Sequence, residues 1–534
     1  MNKLAVAKLP TKGCSSARLD GVSEPNRRFT LKQYTNPPWH GVFAGEDKNR
    51  RPLKMLTSRK STPAEQSHRH SRWLWLLMAA CGLVVLIAIF RSPHRQDSLP
   101  AAGPASAAGS RETWVHSTTG RARSSSHSSR PSPAPTAEEV VAAKVVQFGR
   151  NRREIAQAIG RRANRAVPPE VEKFFDAVEA GQWEEIKTEF DALAKRSGQY
   201  EHSTHSPDLD LFWPALLDAY GVAEQAHLWP AQKLLDYGEA VLASLRPGMV
   251  YVGGTDNGRW IPELLNETSQ GEQHIIVTQN ALADARYLDY VGTLYGDRMV
   301  TLTPEDSQRA FQEYMADAQK RLEHDQKFPN EPKQVRPGED IRAVDGKAQV
   351  SGQAAVMAIN EKLLQTLMAK NPGLSFTLQE SFPLKGTYAD ALPLGPLMEL
   401  HGQDGQNPFT VERAAQSLDY WRNTAQQILS DPEATGSPDV LKSYSHDAVS
   451  AANLLAAHSF YSEAEQAYRL ATQLWPGNPE SIAGLAELLA SGGREDEAGQ
   501  ILEDFARKYP DQRKDLERVR AAWRFVGPAQ APQP

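Results

Sequence analysis

Hydrophobic residues recur at helical spacing over much of the chain. From Pro168 the sequence reads PPEVEKFFDAVEAGQWEEIKTEFDALAKRS, with large apolar residues three or four positions apart and Gly181 between two such runs. This pattern predicts two amphipathic helices joined by a turn. Because the same spacing continues through 211–245, we expect a helical region over 138–246.

Between 247 and 405 the pattern changes to short apolar runs that alternate with helical stretches. Strands separated by helices imply right-handed crossovers and a mostly parallel sheet. The predicted fold class is therefore α/β plus all-α, with a Rossmann-like sheet domain in the middle of the chain. The runs predicted to form strands are 249–253 (MVYVG), 274–278 (HIIVT), 298–302, 374–378 (LSFTL) and, at an edge, 397–402 (LMELHG).

Polar residues follow the predicted strands, at the edge where open α/β sheets bind ligands. The backbone N–H groups of the Gly-Gly-Thr loop can hold a phosphate at a helix N-terminus. However, Asp256 repels an anion, and the loop fits neither the dinucleotide-binding motif nor the P-loop. The candidates for ligand binding are Gly254, Thr255, Asp256, Arg259, Asn280, Asp284 and Glu380.

These loop residues also have a purely structural interpretation. Gly253 and Gly254 permit a tight turn between strand and helix, Asp256 caps the helix, and Arg259 pairs with a nearby carboxylate. A role in general acid/base catalysis would depend on the distances between the side chains of Asp256, Arg259, Asp284 and Glu380, and the sequence does not determine these distances.

The segment 406–526 carries a period of 34 residues. Nine residue pairs keep this offset between 452–476 and 486–510, among them Ala464 with Ala498 and Tyr468 with Leu502. This is the period of the tetratricopeptide repeat, in which a small Ala lets two helices approach and a bulky residue fills the adjoining space. Helices at 410–429, 439–458 and 515–525 are expected to complete the stack.

Stacked repeats offer a concave face to a peptide or protein partner. The alternative is that the helices are only a structural cap on the α/β domain.

Residues 73–90, WLWLLMAACGLVVLIAIF, form an apolar run without charge. At 1.5 Å per residue it is about 27 Å of helix, enough to cross a hydrocarbon core. More Lys and Arg precede the run than follow it, which predicts a cytoplasmic N-terminus and an extracytoplasmic C-terminal part, in a bacterial inner membrane. A cleaved signal peptide is the alternative, because Ala105-Ser106-Ala107 resembles a cleavage site.

The segments beside this run lack hydrophobic periodicity. We expect a disordered basic tail over 1–72, with Met55 as an alternative start, a Ser/Pro/Ala-rich linker over 91–137, and a disordered tail over 527–534. An arginine cluster follows the linker, and it either contacts anionic headgroups or an acidic partner, or lies on a solvated helix face. Its members are Arg150, Arg152, Arg153, Arg161, Arg162 and Arg165.

The net charge of −5 conceals a segregation along the chain. Residues 1–72 carry +10, residues 91–165 carry +8 and residues 166–534 carry −23. This distribution argues against a uniformly basic nucleic-acid-binding protein. The hydrophobic fraction of 40% is ordinary and argues against a wholly disordered chain.

Motifs for known chemistry are absent from the sequence. It contains no HExxH, GxSxG, Walker A or CxxC pattern, so we predict no catalytic residue, metal ligand or cofactor. His202 and His205 with Asp208 and Asp210 are a weak candidate for a metal site. Cys14 and Cys81 fall in the tail and the apolar run, so the predicted outer part has no disulfide.

The central segment resembles a known family. The runs MVYVGGTDNGRWIPELL, HIIVTQNALADARYLDYVGTLYGDR and LPLGPLMELHG are similar to the soluble region of bacterial multi-span proteins related to protein O-mannosyltransferases, over about residues 210–510. The resemblance implies an extracytoplasmic accessory module, next to tetratricopeptide repeats, whose role is uncharacterised. It gives no catalytic residues, and this chain has one predicted span in place of many.

These observations predict a single-pass, membrane-anchored repeat protein that acts as a scaffold for protein interaction or assembly. The alternative is a domain that binds a sugar, a polyprenyl-linked glycan or a nucleotide-like ligand at the loops after its strands. An enzyme is less expected than a binding protein.

Overall fold

The computed structural model describes residues 134–198, 203–271, 273–335, 339–344, 347–351, 353–401 and 407–524. The predicted membrane span, the basic tail and nearly all of the linker lie outside these residues, as does the C-terminal tail. Within the described ranges, no helix has both the length and the apolar character that crossing a bilayer requires.

Helices fill the region before the sheet, as predicted. The first begins with a capping box, in which the Thr136 hydroxyl accepts from the Glu139 N–H while the Glu139 carboxylate accepts from the Thr136 N–H. Gly181 ends the second helix with φ of 68°, a conformation that favours glycine. The helices are α1 (Ala137–Arg162), α2 (Pro169–Ala180), α3 (Trp183–Ala194), α4 (Pro207–Asp210), α5 (Trp213–Leu228) and α6 (Ala231–Ala243).

A five-stranded sheet follows, formed by β1 (Val250–Gly253), β2 (Ile275–Thr278), β5 (Phe376–Leu378), β6 (Leu392–Leu394) and β7 (Leu397–Leu400). The strand order is β2-β1-β5-β7-β6. Strand β1 pairs in parallel with β2 and β5, whereas β7 pairs antiparallel with both β5 and β6. The sheet is therefore mixed, and the mostly parallel arrangement that we predicted applies to β2, β1 and β5.

Four α-helices, a short 3₁₀-helix (Lys385–Asp390) and a separate hairpin connect these strands. The hairpin pairs β3 (Asp340–Val344) with β4 (Lys347–Ser351) in antiparallel register, and the sequence pattern did not predict it. The helices are α7 (Asn257–Glu267), α8 (Ala285–Tyr295), α9 (Pro304–Lys327) and α10 (Gln353–Lys370).

The apolar run at 298–302 is not a strand, contrary to our prediction. The Val300 N–H donates to Asn371 Oδ1 at 2.8 Å, and the Val300 carbonyl accepts from Asn371 Nδ2 at 2.9 Å. A single side-chain amide thus satisfies the backbone groups that a neighbouring strand would otherwise bond.

The C-terminal part is a stack of helices. The helices predicted at 410–429, 439–458 and 515–525 are confirmed, with ends that shift by one or two residues. The first repeat consists of α13 and α14, and the second consists of α15 and α16. The helices are α11 (Val411–Ser430), α12 (Pro432–Thr435), α13 (Pro438–Ala457), α14 (Tyr461–Leu474), α15 (Pro479–Ser491), α16 (Glu495–Lys508) and α17 (Arg513–Arg524).

One hydrophobic core runs from α1 through the sheet into the second repeat, from Val141 to Ala498. Polar links between distant segments accompany it. The Tyr237 hydroxyl on α6 donates to Asp447 Oδ2 on α13 at 2.9 Å, and Lys233 Nζ pairs with Asp431 at 2.6 Å. The helical region and the repeats are therefore attached directly to each other.

Candidate functional site

Two glycines form the turn after β1 because other backbone and side-chain atoms approach them closely. A Cβ atom on Gly254 would lie 2.3 Å from the Ser381 Cβ, and one on Gly253 would lie 2.8 Å from the Arg259 Cβ. Both contacts are shorter than packing allows, so these positions exclude larger residues. The ends of β1 and β5 are thereby brought together.

The polar side chains at these strand ends bind one another. Asp256 caps α7 by accepting from the Gly258 N–H at 3.0 Å, and its other oxygen accepts from the Ser381 hydroxyl at 2.7 Å. Asn280, which follows β2, donates from Nδ2 to Thr255 Oγ1 at 2.9 Å. The structure therefore brings Gly254, Thr255, Asp256 and Asn280 together, and each has a partner within the chain.

Arg259 points away from this edge into the interior. Its guanidinium donates to the Gly254 carbonyl at 2.7 Å, to Asp218 at 2.8 Å and to Glu263 at 2.5 Å. Its side chain is 2% exposed. Desolvation disfavours a buried charge, so the carboxylates are needed to keep the guanidinium inside the protein.

A second buried arginine joins the same cluster from α1. Arg152 donates to Glu263 at 2.8 Å and binds both carboxylate oxygens of Glu267 at 2.6 Å. Burial raises the pKa of Glu263 to about 8, against the opposite effect of Arg259. Burial also acts to raise the pKa of Asp218, but Arg259 and Arg152 outweigh it and lower that pKa.

Asp284 caps a different helix. Its Oδ1 accepts from the Arg286 N–H at 2.9 Å, and its two oxygens hold the Arg286 guanidinium. The same guanidinium donates to Asp210 at 2.9 Å. Asp284 is thus engaged at the start of α8, apart from the hydrogen bonds that join Thr255, Asp256 and Asn280.

Glu380 lies after β5 and is almost fully buried. Its Oε1 accepts from the Leu384 N–H at 3.0 Å and from the Tyr388 hydroxyl at 2.6 Å. Burial raises the pKa of its carboxyl to about 7, even though Tyr388 and Leu384 act in the opposite direction.

Helix α13 of the first repeat lies across these strand ends. Asp447 accepts from Gln379 Nε2 at 2.8 Å, and His446 Nε2 contacts the Glu380 carbonyl at 2.6 Å. Burial raises the pKa of Asp447 to about 6. Burial acts to lower the pKa of His446, but the Glu480 carboxylate at 3.0 Å raises it to about 10.

The sequence pattern did not single out Gln379, His446 and Asp447. One signal was present, because Asp447 occupies the register position of Ser481, which is fully buried in the second repeat. A charged residue at a buried repeat position indicates a polar partner from elsewhere in the chain.

The space beside Glu380 is small. A cavity of about 10 Å³ is lined by Glu380, Ser417, Asp447 and Ser450 together with apolar residues of the sheet. This volume suits a single water molecule and not a sugar or nucleotide. A ligand site at the strand ends stays a prediction.

Most of the arginine cluster of α1 pairs within the chain. Arg150 binds Glu179 at 3.1 Å, Arg153 binds Asp176 at 2.5 Å, and Arg162 donates to Thr293 at 2.6 Å. Arg152 is buried in the ionic cluster described above. These contacts match the structural alternative more closely than they match a free basic surface.

The structure describes three of the four residues of the weak candidate for a metal site, His205, Asp208 and Asp210. His205 Nε2 contacts Asp210 at 2.9 Å, and His202 lies outside the described residues. Among the residues that the structure describes, no three His, Cys, Asp or Glu side chains are grouped for metal binding.

An open groove lies in the second repeat, between α15, α16 and α17. Its volume is about 330 Å³, and we call it the second-repeat groove. It is lined by Ala483, Ala486, Glu487 and Ala490 of α15, by Glu495, Ala498, Gly499 and Leu502 of α16, and by Arg520 of α17.

Comparison with known families supports the repeat assignment. Residues 455–522 match the family model described as tetratricopeptide repeat. Neither the search of curated proteins nor the search of solved structures returned a match. The repeats are therefore shown, and the resemblance to the O-mannosyltransferase-related proteins stays a prediction.

Proposed function

We propose that this protein is an interaction scaffold that binds a protein or peptide partner through its tetratricopeptide repeats. The observation that carries the proposal is the second-repeat groove, which is open at about 330 Å³ and lies within the matched repeat segment. Tetratricopeptide stacks typically offer concave surfaces to partners.

We further propose that the scaffold is anchored in a membrane by residues 73–90 and displays the repeats on the extracytoplasmic side. The support is the charge-free apolar run and the excess of Lys and Arg before it. Reporter fusions placed after Phe90 test the orientation, and cytoplasmic behaviour of the reporter would overturn it.

The contacts at the strand ends favour the scaffold over a ligand-binding or glycan-related domain. Asp256, Arg259, Asn280 and Glu380 all have hydrogen-bond partners within the chain. Helix α13 also covers Gln379 and Glu380. A ligand would have to displace these contacts.

The experiment is a pull-down with the full chain and a variant whose groove is blocked. Deleting the repeats is unsuitable, because α13 also covers the strand ends. Gly499→Arg is better, since a Cβ atom at Gly499 has no neighbour within 4 Å and the new side chain enters the groove. Gln500→Arg adds the same charge at the next position on α16, which is exposed and does not line the groove.

We expect a partner that is retained by the wild type and by Gln500→Arg and is lost with Gly499→Arg. A partner set that is identical for all three proteins would contradict the scaffold proposal. Circular dichroism and the melting temperature verify that both variants fold.

A further inference from the structure

The two repeats differ at the position where a bulky side chain packs between their helices. In the first repeat this residue is Tyr468, whose side chain is 1% exposed. Its ring lies against α15, since a Cβ atom on Gly484 would be 2.4 Å from it, and its hydroxyl donates to Asn453 at 2.7 Å. The first repeat therefore contains a buried aromatic ring with a satisfied polar end.

The second repeat has Leu502 and Glu487 at the matching positions, 34 residues later. Leucine is smaller than tyrosine and has no hydroxyl group, so neither the volume nor the hydrogen bond of Tyr468 is reproduced. The facing residues Ala486, Ala498 and Gly499 are small, and the space remains open as the second-repeat groove. The first repeat thus shows what shape of side chain such a space accepts.

The charges at the groove indicate which charge a bound segment should carry. Glu487 and Glu495 line it, and among the described residues neither forms an ion pair at hydrogen-bonding distance. Lys385 acts on Glu487 only at longer range. By contrast, Glu465 and Glu497 nearby are both held by Arg469 and Arg494.

We propose that the second-repeat groove binds a segment of a partner protein that inserts an aromatic side chain and places Lys or Arg against Glu487 and Glu495. This inference rests on the proposed scaffold function and names the chemistry of the partner. The aromatic ring would occupy the space beside Ala486, Ala498 and Gly499, as the Tyr468 ring occupies the space beside Gly484 in the first repeat. Arg520 of α17, which also lines the groove, receives a carboxylate of the same segment.

The test begins with selection of displayed random peptides of about 12 residues on the full chain, a length that suits a groove-binding segment. Counter-selection uses Leu502→Tyr, which places in the second repeat the ring that fills the first. We expect the enriched peptides to carry Tyr, Trp or Phe next to Lys or Arg. Enrichment of peptides that lack Lys and Arg, or that lack an aromatic residue, would overturn the proposal.

Binding of one enriched peptide is then measured by fluorescence polarisation against three variants. Leu502→Tyr and Glu487→Lys should each weaken binding at least about tenfold, because one fills the groove and the other reverses its charge. Glu503→Lys makes the same charge change at an exposed position of α16 that does not line the groove, and it should change affinity less than about twofold. Equal effects of Glu487→Lys and Glu503→Lys would overturn the charge complementarity.

A chain that ends at residue 524 tests whether the C-terminal tail is the occupant. Peptide binding that appears only after removal of 525–534 would assign the groove to the tail and overturn the partner proposal. Failure of the scaffold function is distinguishable, since Gly499→Arg would then release no partner at all. If Gly499→Arg releases a partner but Leu502→Tyr does not, only the aromatic inference fails.

Discussion

The strand ends and the second-repeat groove were both candidate binding regions, and they differ in how their polar groups are satisfied. At the strand ends Asp256 and Asn280 bond to groups of neighbouring loops, and α13 covers Gln379. In the groove Glu487 and Glu495 face a space of about 330 Å³. The first region is closed by the chain itself, and the second is open.

The difference shows that polar loop residues are weak indicators of a binding site on their own. Parallel strands concentrate such residues at one edge of a sheet, but helix capping and close packing can use all of them. A carboxylate that lines an open groove without an ion-pair partner is a stronger indicator, because partner binding can then supply its counter-charge.

The largest effect should come from breaking the ionic cluster behind the strand ends. Arg152→Ala leaves the buried Glu263 and the partly buried Glu267 without this guanidinium, and we expect a loss of about 3–5 kcal/mol of unfolding free energy. Urea unfolding followed by circular dichroism measures it. Arg150→Ala removes an exposed pair with Glu179 and should cost less than about 1 kcal/mol. Similar losses for both variants would show that the cluster is not a stabilising unit.

The pH dependence of stability should reveal the buried carboxyl at the closed region. The folded state holds the Glu380 proton up to a pKa of about 7, above its ordinary value of 4.5, so this group favours folding at low pH and loses that contribution as pH rises from 4.5 to 7. Glu380→Gln mimics the protonated form and should remove about 3 kcal/mol of the stability difference between these pH values. Melting temperatures of wild type and variant at both pH values provide the measurement, and parallel pH profiles would contradict the assignment.

The contact of the first repeat with the strand ends should contribute less. Asp447→Ala leaves the Tyr237 hydroxyl and the Gln379 amide without their acceptor, and we expect a loss of about 2 kcal/mol. Hydrogen exchange should become faster in α13 and at 379–381. Asp419→Ala on the exposed surface of α11 is the control, and faster exchange in that variant would mean that the effect is not specific to the interface.

The smallest effect should come from closing the open region. Leu502→Tyr combined with Glu487→Asn reproduces the Tyr468–Asn453 pair in the second repeat, and we expect a gain of about 1 kcal/mol from added burial. Thermal unfolding measures the gain. Destabilisation would indicate that the groove has no room for the ring, which would also contradict the proposed mode of binding.

The sequence predicted the elements that depend on local pattern. Strands β1, β2 and β5 are apolar runs bounded by Gly, Pro or polar residues, and the repeats follow from the offset of 34 residues. The strand predicted at 298–302 does not form, because Asn371, 71 residues after Val300, supplies the hydrogen bonds of the Val300 backbone. The cap role of Asp256 follows from local chemistry and is present in the structure, whereas the sequence analysis did not assign the cap that Asp284 also forms.

Two features of the site depend on contacts between distant segments, and the sequence pattern did not reveal them. The closure of the strand ends requires α13, whose Asp447 lies 68 residues after Gln379. The burial of Arg152 requires Glu263, 111 residues later. No local period indicates either contact, although a charged residue at a buried repeat position was a partial signal for the first.

The bond between Tyr237 and Asp447 has a consequence for how the chain is synthesised. Its two residues are 210 positions apart. At a ribosomal rate of about 5–20 residues per second, Tyr237 waits roughly 10–40 s for its acceptor. The strand ends are made later, because Gln379 lies 68 residues before Asp447. At the same rate they wait roughly 3–14 s for the helix that covers them, and the nascent chain exposes them until the first repeat has been made.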